Sequence, residues 1–228
     1  MFKHEGPSRS PRNNAILAAY LALTAGFVNS SGFALLGTVT SHVTGNVTRF
    51  ADDVARGSLG TGLDALGLVL AFFAGAFAAS MVIEGLRKRS GVAYGIALVL
   101  EAAALIAFLV DERAAILCFA MGAQNSLVTR LSGAVIRTTH LTGVVTDLGI
   151  EAARFIVERA RGIGTVSDGR PGLLAIIVTS FTAGAVAGAF ATVALGPYAM
   201  IIPTGAVVVA AGYAFLDGIG RRIDGTPV

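Results

Sequence analysis

The chain has 228 residues, of which 54% are hydrophobic and only 14% charged, with a formal net charge of +3. A soluble domain of this length needs about a quarter of its residues charged to cover its surface, so the composition excludes that class and points to an integral-membrane protein. The basic excess does not imply nucleic acid, because the Lys and Arg residues sit in short segments between apolar runs, where they orient helices.

Residues 1–13 carry Lys3, Arg9 and Arg12 ahead of an apolar stretch and are expected to form a disordered cytoplasmic N-terminus. That stretch runs far past the apolar region of a signal peptide and contains a polar motif, so it reads as a retained first helix. Candidate spans cover 15–36, 61–85, 91–110, 115–136, 172–195 and 198–216. Each reaches the roughly 20 residues needed to cross a bilayer. Backbone groups in lipid must be satisfied within the segment, so the spans are expected to be helices.

The first span carries Gly26, Asn29 and Ser30, followed by Gly37 and by His42-x-Thr44-Gly45-Asn46-Val47-Thr48. Val47, Phe50, Ala51 and Val54 then fall on one helical face. Thr44 is placed to cap a short amphipathic helix and Gly57 to end it. The third span contains Glu101 near its middle. Such a group is costly in lipid, roughly 3 kcal/mol, and is a functional candidate. The fourth span carries Gly122, Gln124, Asn125 and Ser126, with Arg130 further along, and Glu101 and Arg130 are expected to pair.

After Gly133 the pattern returns as Thr138-Thr139-His140-x-Thr142-Gly143-x-Val145-Thr146, opening a second amphipathic helix with Thr142 as its cap. Residues 26–39 match 122–135 at six of fourteen positions, and 42–56 match 140–154 at seven of fifteen. Chance would give about one match in ten. The chain therefore reads as an internal repeat, about 14–111 and 114–217, within one membrane domain of 14–220, followed by a cytoplasmic tail at 221–228.

With six spans and both termini cytoplasmic, the inner loops hold thirteen basic residues and the outer loops three, Arg49, Arg56 and Arg113. Three helices per unit is an odd number, so the second unit would enter the bilayer inverted. The expected fold is all-α: six transmembrane helices as a 3+3 inverted-topology repeat, with short amphipathic helices after the first and fourth. Such repeats are common among secondary transporters.

His42 and His140 are two of only three histidines, and this topology puts them on opposite sides, which disfavours a shared metal. Each reads either as an anchor for its turn or as a titrating group. The Asn-Ser and Gln-Asn pairs read either as interhelical glue or as the lining of a polar path. The Thr-Gly helices either lie flat at the interface or turn their N-terminal ends toward a solute path. The small residues Gly184, Ala185, Ala187, Gly188, Ala189 and Ala191 mark close packing, within the bundle or in a homo-oligomer. No metalloprotease, phosphate-loop or nucleophile-elbow pattern is present, so neither an enzyme nor a cofactor is expected.

The chain resembles the YoaK-like family of bacterial multi-pass membrane proteins, grouped under a domain of unknown function. The resemblance is carried by Gly26-Phe27-Val28-Asn29, by Ser41-His42-Val43-Thr44-Gly45-Asn46, and by Met121-Gly122-Ala123-Gln124-Asn125 through Arg137-Thr138-Thr139-His140-Leu141-Thr142-Gly143. This chain has Asn29 where the family often has Asp, and Val144 where it usually has Asn. The resemblance implies a bacterial inner-membrane location and no particular substrate.

The functional expectation is a small-solute transporter or permease whose path is bordered by Asn29, Ser30, His42, Thr44, Gly45, Asn46, Glu101, Gln124, Asn125, Arg130, Thr138, Thr139, His140, Thr142 and Gly143. Helix ends and amides suit a small anion or polar neutral solute. The alternative is a membrane scaffold or assembly protein whose repeated motifs only lock loops.

Overall fold

A computed structural model describes residues 10–86, 90–133, 136, 138–162 and 169–223. The described residues are all-helical, with eight α-helices: α1 (Pro11–Leu36), α2 (Val43–Ala55), α3 (Leu59–Gly85), α4 (Ser90–Phe108), α5 (Ala114–Ser132), α6 (Leu141–Ala160), α7 (Arg170–Leu195) and α8 (Ile201–Ile223). A 3₁₀ turn, Gly196–Met200, joins the last two. Most of the expected N-terminal segment (1–9), residues 163–168 and the end of the tail (224–228) lie outside the described residues.

The ends have local causes. Ser10 caps α1 by accepting the Asn13 amide at 3.3 Å, and Pro11 occupies the first turn, where its missing N–H costs nothing. α1 and α5 both stop at a left-handed glycine, Gly37 at φ 67° and Gly133 at φ 60°. α5 therefore ends at Ser132, before the expected boundary at 136.

Four stretches are long and apolar enough to cross a membrane: Pro11–Leu36, Leu59–Gly85, Gly91–Phe108 and Arg170–Gly218, the last containing α7 and most of α8. α5 is not among them, since Gln124, Asn125, Ser126, Thr129 and Arg130 interrupt it. The chain is thus a helical membrane protein. Leu17, Leu21, Leu98, Leu105, Leu117, Met121 and Leu127 of α1, α4 and α5 form the interior. Leu70, Phe73, Phe77 and Met81 of α3, like Val186, Phe190 and Val193 of α7, are exposed outward. A bundle that is apolar on its outside as well as its inside suits lipid as its surroundings.

Three helix pairs organise this bundle, each through close backbone approach. α1 and α7 run parallel: Leu23 meets Gly184, Phe27 meets Gly188, and Thr192 donates to the Ser31 hydroxyl at 2.8 Å. α3 and α5 also run parallel: Phe119 meets Gly75, Gly122 meets Phe72 and Ala76, and the Ser80 and Ser126 hydroxyls are 2.7 Å apart. α4 and α8 cross antiparallel, with Gly91 against Ala214 and Gly218, and Gly95 against the Phe215 ring. The glycines let backbones touch, and the serines satisfy hydroxyls that lipid would leave unbonded.

Candidate functional site

The repeated asparagines are spent on their own loops. Asn29 Nδ2 donates to the Ala25 carbonyl at 2.8 Å, one turn back on α1. Its Oδ1 accepts from the Ser41 amide at 2.9 Å, the Ser41 hydroxyl at 3.0 Å and the Thr40 hydroxyl at 3.2 Å. Asn125 repeats the arrangement on α5, with Nδ2 donating to Met121 at 3.1 Å and Oδ1 accepting from the Thr139 hydroxyl at 2.7 Å. Each asparagine draws the segment after its helix back along the helix it has just left. Gly32 leaves room for that return, since a Cβ there would meet Thr40 Cγ2 at 2.7 Å.

The pinned segments decide where α2 and α6 begin, and the expected caps are not used. Bound at Ser41, the chain turns into α2 at Val43 with His42 at the N-cap, and Thr44 lies inside the first turn. His140 takes the same place ahead of α6, and neither histidine makes a side-chain capping bond. Thr44 and Thr142 are exposed, and their carbonyls accept from the Thr48 and Thr146 hydroxyls at 3.0 and 2.9 Å. At Gly45 a Cβ would meet the His42 imidazole, an exposed side chain that would have to turn aside. Gly143 meets nothing, so that contact belongs only to the first copy.

α2 and α6 lie on the outside of the bundle, packed on α3 and α7 respectively. Each buries one residue, Asn46 in α2 and Val144 in α6, which are matched positions of the two copies. Their outer faces are salt-bridged, with Arg56 on Asp52 at 2.8 Å, Arg154 on Glu158 at 2.8 Å and Arg170 on Asp147 at 2.8 Å. These helices border the bundle instead of entering it. His42 and His140 are both exposed, while Ser30 is half-buried.

The expected pairing of Glu101 with Arg130 does not occur. Arg130 lies in the last turn of α5, half-exposed, and forms an ion pair with Glu84 near the end of α3. The parallel run of α3 and α5 brings those two ends together. Glu101 sits seven residues before the end of α4, faces the interior with 0% exposure, and neither carboxylate oxygen is hydrogen-bonded among the described residues. Gln124 and Thr138 are also 0% exposed, and their side-chain polar atoms are likewise unbonded. Among the described residues no group of three or more His, Cys, Asp or Glu comes together to hold a metal.

The sequence reading marked Gly184, Ala185 and Gly188 for close packing, and they do pack on α1, but it omitted the equivalent segment of α3. Phe72-x-Ala-Gly75-Ala76 in α3 recurs as Phe181-x-Ala-Gly184-Ala185 in α7, and both copies face the matched glycines Gly122 and Gly26. An alignment extended past the His motifs shows this match. Ser31 and Thr192, joined across α1 and α7, had no such signal, because Ser31 has no serine counterpart in the second copy.

Residues 17–213 match the family described as "Protein of unknown function (DUF1275)", and the chain belongs to that family. No curated protein and no solved structure matches it.

Proposed function

We propose that this DUF1275 member is a small-solute carrier of the bacterial inner membrane, six-spanning with both termini inside, and built as a 3+3 inverted repeat. Support for the repeat comes from matched contacts: Gly26 on Phe181 and Gly122 on Phe72, each within a parallel helix pair. Residues of α3 match those of α7 at an offset of 109, which pairs Glu101 with Ala210. With Gly91 facing Gly218, residue 100 stands opposite about residue 209, so Glu101 lies near the centre of the α4–α8 crossing. All three helix pairs join one half to the other, and α4–α8 is the pair whose two members match each other, so it lies on the axis relating the halves; substrate sites in such carriers lie at the interface between repeats.

The observation that carries the reading is Glu101 itself. A carboxyl group at 0% exposure with no partner costs several kcal/mol and is retained where something other than the protein binds it. The test is uptake or counterflow in proteoliposomes across a panel of labelled polar solutes. A solute whose flux is abolished in Glu101→Gln, with the variant still folded and inserted, supports the carrier. No flux above protein-free vesicles for any solute would overturn it.

A second reading, a non-transporting membrane scaffold, is favoured by Asn29 and Asn125, since both amides are consumed in pinning loops. On that reading their substitution changes stability or partner capture and no flux exists to be lost.

A further inference from the structure

Six buried side-chain polar atoms are unbonded among the described residues, and five belong to Glu101, Gln124 and Thr138. The sixth, Asp53 Oδ2, lies 3.8 Å from Arg49 on the outer helix α2. Helix register sets the three interior groups at neighbouring levels of the bundle. α4 and α5 are joined by the short segment 109–113, so they lie antiparallel and residues 101 and 121 stand level, each seven residues from its helix end. Gln124 is three residues further along, about 4.5 Å at the helical rise. Thr138 adjoins Thr139, whose hydroxyl bonds Asn125, the neighbour of Gln124.

The repeat sharpens the contrast. The position matching Gln124 is Val28, the one matching Glu101 is Ala210, and Thr40, which matches Thr138, is bonded to Asn29. Where the second copy leaves polar groups unpaired, the first has apolar or satisfied ones.

We propose that Glu101, Gln124 and Thr138 form a binding site for a small nitrogenous cation bearing N–H donors, of the ammonium or guanidinium type, and that the cation exchanges with a proton on Glu101. This rests on the carrier reading and gives it a substrate class. The cluster offers two carboxylate oxygens, the Gln124 carbonyl oxygen and the Thr138 hydroxyl as acceptors, and Arg130, the cation in α5, is held by Glu84 at the helix ends. An anion would face an acceptor-rich pocket.

Among the described residues, the groups around Glu101 supply no counter-charge. α8 presents Val207, Ala210, Ala211 and Ala214, and α3 presents Ala79 and Ile83, with the half-exposed Glu84 already paired. α5 contributes buried Cys118, and α4 itself Tyr94. Tyr20 of α1 lies within electrostatic reach of Glu101, but its hydroxyl donates to the Ala206 carbonyl. An isolated carboxylate is too costly in such surroundings, so its charge must be offset by a proton or by a bound cation. On binding, the Glu101 O–H bond breaks, the proton leaves to water, and the cation's N–H groups donate to the carboxylate. The interior stays neutral in both states.

The test uses the full chain in detergent, weakly buffered, with a pH-indicating dye and methylguanidinium as probe. The expected result is release of about one proton per chain at saturation, none from Glu101→Gln, and binding about tenfold weaker in Gln124→Leu. Glu101→Asp, which keeps the carboxylate, should retain release at reduced affinity, and this guards against a misfolded amide variant. Tetramethylammonium, which has no N–H, should release little. The proposal is overturned by no release from folded wild type with methylguanidinium or methylammonium, by unchanged release from folded Glu101→Gln, or by equal release with tetramethylammonium or sodium. Proton release without proteoliposome uptake defeats the carrier and leaves the site standing. Uptake of a solute that survives Glu101→Gln defeats the site and leaves the carrier.

Discussion

Gly122 lies so close to the backbone carbonyl of Phe72 that no Cβ fits between α5 and α3. The matched Gly26 stands in the same relation to Phe181, and Gly75 and Gly184 return the contact from the facing helices, against Phe119 and Leu23. Since the obstacle is backbone, a substituted helix must move away, opening a gap along its length. Gly122→Ala and Gly26→Ala should each lower stability by about 1–3 kcal/mol. Gly67→Ala, in the same α3 but with open space around it, should be neutral or slightly stabilising. Thermal midpoints of detergent-solubilised variants measure the difference, and equal midpoints for all three would refute the close-packing account.

Asn29 and Asn125 should differ in cost because they hold different numbers of bonds. Asn29 Oδ1 accepts three and Asn125 Oδ1 one. Removing a buried acceptor leaves its donors unsatisfied, at about 1–3 kcal/mol. Asn29→Ala should therefore destabilise more than Asn125→Ala. Asn29→Asp should also destabilise, since a carboxylate keeps the three donors but sets its second oxygen against the Ala25 carbonyl and buries a charge. The ranking is read from thermal midpoints of the solubilised chain.

These two residues also show what the sequence made legible. Spacing alone exposed Asn29, Asn125 and their return segments as repeated units, and apolar run lengths marked α1, α3, α4, α5, α7 and α8 to within a few residues at most ends, whereas α6, expected to be short, runs to 20 residues. Partners were not legible. Glu101 and Arg130 are the two charges farthest from span ends and looked complementary, yet the parallel register of α3 and α5 carries Arg130 to Glu84 and leaves Glu101 in the apolar interior. Register depends on which glycines meet which carbonyls, and that is a property of pairs of helices. Thr44 and Thr142 misled for a local reason: a threonine ahead of an apolar-periodic run is a usual cap, but the pinned segment starts each helix at the histidine.

The Arg130–Glu84 pair is half-exposed on both sides. Exposed pairs contribute at most about 1 kcal/mol, so Arg130→Gln should shift the thermal midpoint little, and high salt should weaken even that. If the pair holds only the α3 and α5 ends together, flux of any transported solute should persist in Arg130→Gln and vanish in Glu101→Gln. Loss of flux in both, with folding intact, would return Arg130 to the solute path.

The inverted arrangement makes a prediction about sidedness that no stability measurement addresses. Thr44 and Thr142 occupy matched places in α2 and α6, and both are exposed. In an inverted repeat they lie on opposite sides of the membrane, Thr44 outside and Thr142 in the cytoplasm. Cys118 is fully buried and should stay silent to thiol reagents in the folded protein. An impermeant maleimide applied to intact cells should therefore label Thr44→Cys and spare Thr142→Cys. Inside-out vesicles should reverse the pattern. Labelling of both positions from one side would place the two motifs on the same surface. It would remove the antiparallel relation between the halves, and with it the argument that places Glu101 where the halves meet.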